Sequence, residues 1–158
     1  MIKAFIFMAL PRLTVVAWLL LLAGCSADSP DVKSNRQSSI EEIIKVEKDF
    51  QKMTEDKGVA EAFWFYADSN AVIKRENDTI IRGKEAIRKY YSQPIYARAS
   101  VAWSPDFTDV SGEGDMSYTY GKYTWRIEDS TGKIAEMKGV FHTVWKRQVD
   151  GNWKYVWD

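Results

Sequence analysis

Hydrophobic spacing divides the chain into two regimes. From Ser39 to about Asp56, Ile40, Ile43, Ile44, Val46, Phe50 and Met53 recur at helical spacing and form one apolar face. Ser39-Ile40-Glu41-Glu42 has the order of a capping box at the start of that helix. Lys57-Gly58 supplies its stop, because glycine accepts the left-handed C′ conformation. A short second helix is predicted from Val59 to about Tyr66, and a third from Lys84 to Ser92, preceded by Gly83 and stopped by Gln93-Pro94. Between them, Ala71–Lys74 and Thr79–Ile81 read as short strands joined by a turn at Glu76-Asn77-Asp78.

Beyond Pro94 the period becomes two. Ala99–Ser111 is a predicted strand with a bulge or edge at Ser104-Pro105. Met116–Glu128, Ile134–Val149 and Trp153–Trp157 follow, separated by Gly-containing turns, of which Asp150-Gly151 is a strong hairpin signal. Three helices and a meander of antiparallel strands make an α+β domain over residues 39–158. The helices would cover one face of a curved sheet, making a cone whose open mouth suits a small-molecule pocket.

The N-terminus follows a different logic. Lys3 and Arg12 precede an apolar run, Leu13–Leu22, which leads to Leu22-Ala23-Gly24-Cys25. That is the order of a secretory signal peptide over residues 1–24. A membrane span needs about 20 apolar residues, and Pro11 and Arg12 interrupt the run. Met8 is an alternative start that keeps Arg12. Residues 26–38 are polar and without periodicity, as in a flexible tether following Cys25.

Leu22-Ala23-Gly24-Cys25 resembles the lipobox of bacterial lipoproteins. The resemblance implies cleavage before Cys25 and lipid on its thiol and new amino group, which together anchor stably. Ser26, where such lipoproteins carry Asp for inner-membrane retention, implies the outer membrane, facing the periplasm or the cell surface.

Composition narrows the classes. The chain holds 22 Lys+Arg and 22 Asp+Glu, so loss of Lys3 and Arg12 leaves it slightly acidic. No basic surplus points to nucleic acid. Cys25 is the single cysteine, so the domain has no disulfide and its core must hold the fold unaided. One His and no free Cys argue against a zinc site, and neither a Ca²⁺-loop spacing nor a Gly-rich phosphate loop is present; no cofactor is expected.

The element order resembles the nuclear transport factor 2-like superfamily, which includes ketosteroid isomerase and SnoaL-like cyclases. The residues carrying it are Phe63 with Tyr66-Ala67-Asp68, Gly83-Lys84-Glu85-Ala86-Ile87, Trp103-Ser104-Pro105, Val110-Ser111, Gly114-Asp115-Met116, Tyr118-Thr119, Gly121, Gly139, Phe141, Thr143, Trp145-Lys146, Asp150-Gly151-Asn152-Trp153-Lys154 and Asp158. This set looks like the subgroup named domain of unknown function 4440. The resemblance implies a cone-shaped fold and a homodimer formed through the sheet. Ketosteroid isomerases place an Asp general base on the strand after the second helix. The matching position here is Lys74 or Arg75, and neither abstracts a proton as a carboxylate does.

The sharper candidate is Glu47. On a helical wheel it lies among Ile43, Ile44, Phe50 and Thr54, on the face meant for the core. Its role is either a pocket carboxylate acting as acid, base or ligand anchor, or a buried structural group bonded to aromatic or backbone donors. The expected pocket combines Glu47 and Phe50 with Trp64, Tyr66 and Trp103. Tyr123, Trp125, Phe141 and Trp145 complete it from the later strands. The resemblance implies that Phe141, Thr143 and Trp145 point inward, so His142, on the opposite face of the strand with Val140 and Val144, is expected to face outward. Three functions remain open. The chain binds a small, largely apolar ligand, or is a cofactor-independent SnoaL-like enzyme (isomerase, cyclase, dehydratase or hydrolase) using Glu47, or is a non-catalytic dimeric interaction module.

Overall fold

The computed structural model describes residues 30–158, with side chains from Asn35 onward; the leader and Cys25 lie outside the described residues. Helix α1 spans Pro30–Lys57, α2 Val59–Tyr66 and α3 Lys84–Tyr91. Six strands follow the predicted order: β1 Ala67–Arg75, β2 Thr79–Arg82, β3 Ala99–Val110, β4 Met116–Glu128, β5 Ile134–Arg147 and β6 Trp153–Trp157. They form one sheet in the order β2-β1-β6-β5-β4-β3.

Two features depart from the pattern reading. Helix α1 begins at Pro30, nine residues before the expected start, so most of the expected tether is helical. Proline suits a first helical position, where no amide donor is needed. The extension is held by tertiary contacts that periodicity does not report. Arg36 pairs with Asp109 and donates to the Val110 carbonyl at 3.2 Å. Ser39 is therefore a buried mid-helix residue rather than a cap. Its hydroxyl accepts from Arg147, and Glu42 turns outward to Arg147 and the Trp153 indole instead of back along the helix.

The second departure is in the sheet. Its long strands pair antiparallel, but β1 pairs parallel with β6, Ala67 opposite Tyr155 and Val72 opposite Trp157. The Asp158 amide donates to the Val72 carbonyl and the Lys74 amide to the Asp158 carbonyl, extending that seam. The last strand thus lies inside the sheet.

Curvature comes from the expected bulge. The β3–β4 register slips between Pro105 and Phe107. Gly121 lies opposite it, and a Cβ there would stand 2.0 Å from the Ser104 carbonyl oxygen. Only glycine lets the two backbones approach so closely. The concave face packs on the helices. Phe50 is central, with ring centroids 4.8 Å from Phe63, 5.0 Å from Trp103 and 6.0 Å from Tyr155. The Tyr155 hydroxyl donates to the Phe63 carbonyl at 2.7 Å, satisfying the polar tip of a buried ring.

Candidate functional site

The cone encloses a cavity of about 520 Å³ between α1, α2 and the concave sheet face. That volume suits a small organic molecule. Phe50, Phe63, Val101, Trp103, Trp125 and Phe141 line its apolar walls. Tyr123 closes one side and crosses over Gly139, where a Cβ would fall 2.6 Å from the phenolic oxygen.

Glu47 reaches this cavity from α1 and is only 2% exposed. Its carboxylate has three neutral donors. The Trp103 indole N–H donates to Oε2 at 2.7 Å. The Thr119 hydroxyl and the Trp145 indole N–H donate to Oε1 at 2.5 Å and 3.1 Å. Burial pushes the Glu47 carboxyl above its ordinary value; these hydrogen bonds pull the other way, and the charge of Asp158 adds to the rise. A backbone bond holds the arrangement in place, because Gln51, one turn further along α1, accepts the Trp103 amide at 2.7 Å.

At the mouth, Arg75 and Asp158 form an ion pair with about 15% of each side chain exposed. The Arg75 guanidinium also donates to the Tyr91 hydroxyl at 2.6 Å and to the Lys74 and Asp158 carbonyls. Burial alone would depress this cation, but Asp158 and Tyr91 more than offset it and hold it above its usual value. The second oxygen of Asp158 accepts from Thr143 at 3.0 Å. Lys74 pairs with Asp78 at 2.8 Å, and Glu76 accepts a long bond from Tyr90. Asn77 and Asp78 take positive φ angles in the rim turn.

Of the expected pocket residues, Glu47, Phe50, Trp103, Tyr123, Trp125 and Phe141 meet at the cavity. Trp64, Tyr66 and Trp145 do not line it. Phe63 takes the inward position on α2, so Trp64, about 100° further round, lies on the surface under the Lys84 and Arg88 cations with its N–H on Glu85. Tyr66 packs tilted against Phe50 and edgewise against Trp145. Trp145 is fully buried behind Glu47 and acts there as a donor. His142 is exposed, with its ring 5.9 Å from Tyr118, and it also contributes to the lining of the cavity.

Arg75, Thr143 and Asp158 also line the cavity, and Thr119 supports Glu47 from behind it. Strand parity contained the signal for the threonines, since Thr119 shares a face with Tyr123, and Thr143 with Phe141 and Trp145. Arg75 was legible only as a basic residue at a position where a base was sought.

A second cavity of about 430 Å³ lies on the other side of Glu47 and Trp103, between α1 and the bulge, with Ile40, Ile44 and Phe107 in its wall.

No family model matches the chain. No curated protein matches it either. Solved structures do. A putative calcium/calmodulin-dependent protein kinase II association domain from Xanthomonas campestris superposes with TM-score 0.63 at 14% identity, covering 73% of this chain and 81% of that one. A nuclear transport factor 2-like protein with a cystatin-like fold from Novosphingobium aromaticivorans gives 0.62 at 17%, covering 77% and 79%. A ketosteroid isomerase-like protein from Erwinia carotovora gives 0.59 at 11%, covering 72% and 88%. The chain has the nuclear transport factor 2-like, cystatin-like fold. A fold of this kind positions a pocket without naming its contents, so function must be argued from the site.

Proposed function

We propose that this chain is a cell-envelope lipoprotein, anchored through lipid on Cys25 to the bacterial outer membrane, whose cone binds a small, largely apolar molecule. The observation that supports ligand binding is Glu47, a buried carboxylate in the wall of an aromatic cavity. The leader pattern supports the address. Placement in the domain of unknown function 4440 subgroup rests on the strand motifs quoted above. Native mass spectrometry of the purified protein, against its denatured mass, tests the reading. A small molecule lost on denaturation is expected, and an empty cavity that takes up no apolar compound from a library would overturn it.

A second reading, a SnoaL-like enzyme without cofactor, is favoured by one observation. Glu47 is held above its ordinary pKa while the carboxylate of Asp158 lies in the same cavity, which equips Glu47 as a general acid. Loss of turnover in Glu47→Gln with ligand binding retained would establish it.

The convex face supports self-association. Phe107 stacks on Tyr120 at 5.2 Å, and Phe107, Tyr118 and Tyr120 are all about 40% exposed. A homodimer through this face is the reading, and a monomer at micromolar concentration in sedimentation would remove it. Should the cavity prove empty, this face would leave an interaction module as the better description.

A further inference from the structure

We infer that the cavity selects an amphipathic amine, with its apolar body against the aromatic walls and its ammonium group on Glu47. The inference rests on the ligand-binding reading above and adds the chemical class.

Its first support is the state of Glu47. A carboxylate offers about four acceptor sites. Three are taken, one on Oε2 by Trp103 and two on Oε1 by Thr119 and Trp145. The count leaves one acceptor site, on Oε2, of a residue that lines the cavity. All three partners are neutral, so when Glu47 ionises no cation among them balances its charge. An ammonium group would supply both the missing donor and the missing charge.

The walls are the second support. Trp103, Trp125, Tyr123 and Phe141 present aromatic rings around the space in front of Glu47. Ring faces attract cations, and more strongly where water is excluded.

The third is the balance of charge at the mouth. Both basic groups there are already committed, Lys74 to Asp78 and Arg75 to Asp158. Arg75 spends four of its five N–H donors on Tyr91, Lys74 and Asp158, so a single N–H on Nη2 is left for an anionic ligand, and its charge is already balanced by Asp158. Four acidic residues, Glu47, Glu76, Asp78 and Asp158, face two basic ones along the lining. Such a surplus in a cleft with low-dielectric walls concentrates cations.

A matched series separates this inference from the reading beneath it. Binding of 4-phenylbutylamine, 4-phenylbutanol and 4-phenylbutyrate is followed by tryptophan fluorescence, since Trp103 and Trp125 line the cavity. The amine should bind roughly tenfold more tightly than the alcohol, equivalent to about 1.4 kcal/mol, and the carboxylate most weakly. Glu47→Gln should bring amine and alcohol together. Where that variant does not fold, the indole N–H signals of Trp103 and Trp145 in the intact protein report instead, and the amine should move them more than the alcohol. Equal affinities, a preference for the carboxylate, or amine binding that leaves both indoles unmoved would overturn the amine inference and leave ligand binding intact. Failure of all three compounds would count against both.

Discussion

The indole N–H of Trp103 donates to Glu47 at 2.7 Å, and these two residues line both of the cavities that flank α1. The bond is therefore a partition as well as a contact. Trp103→Phe keeps the ring and removes the donor. A lost hydrogen bond to a buried charged group costs about 1.5–3 kcal/mol, so urea denaturation should show a loss in that range. The Glu47 carboxyl should rise further, because a bond favouring its ionised form is gone.

Glu47 gives stability a definite pH signature. Its folded-state pKa lies above the ordinary 4.5, so the folded protein holds this proton more tightly than the unfolded chain. The contribution is full below that ordinary value and is lost as pH rises through the folded value. Glu47→Gln lacks this titration. The stability of the natural protein relative to the variant should therefore be greatest in acid and decline toward neutral pH. Denaturation curves for both proteins at several pH values measure the difference, and a flat difference would contradict the raised carboxyl.

Arg75 and Asp158 should behave as a coupled pair. Removing one member of a buried ion pair strands the other, at a cost of roughly 3 kcal/mol or more. Arg75→Met should approach that loss, leaving Asp158 with Thr143 and the Tyr91 hydroxyl without its donor. The double variant Arg75→Met, Asp158→Asn should lose less than the sum of the two single changes. A thermodynamic cycle by chemical denaturation measures the coupling, and strict additivity would mean that the pair is not energetically joined.

Gly139 sets the position of Tyr123. An added Cβ would stand 2.6–2.8 Å from the phenol, and the ring would have to swing. Gly139→Ala should cost about 1–3 kcal/mol, as overpacking does, and weaken binding of any ligand that uses the Tyr123 wall. Tyr123→Ala in the same chain should restore most of the stability. Thermal melts of the single and double variants check this.

Local rules were sufficient wherever they were also the deciding physics. The period of two gave β4 and β6 to the residue, and Pro105 marked the bulge because proline cannot donate to a ladder. The resemblance chose the inward face of β5, and Phe141 and Tyr123 do line the cavity, although His142 on the opposite strand parity touches it as well. The helical wheel placed Glu47 on the core face, but its three donors come from β3, β4 and β5, and a wheel carries no information about partners so far away in sequence. The start of α1 failed for the same reason. Ser39 and Glu42 fit a local capping pattern, yet Arg147, more than a hundred residues on, claims both side chains. Trp64 was misplaced because aromatic character alone does not distinguish Phe63's direction on an eight-residue helix from its neighbour's.

The insertion of β6 between β1 and β5 also orders events in time. Glu47 is bonded to a residue 98 positions away, and Arg75 to one 83 positions away. A chain emerging from its N-terminus can form α1 and the first hairpin early, but β1 then waits with an open edge until Trp153–Trp157 arrives to fill it. Such non-local closure is slow and leaves strand edges exposed meanwhile. The cavity is therefore among the last parts of the molecule to exist, and a compound bound there would act on the finished fold, as a clasp does, rather than on its formation.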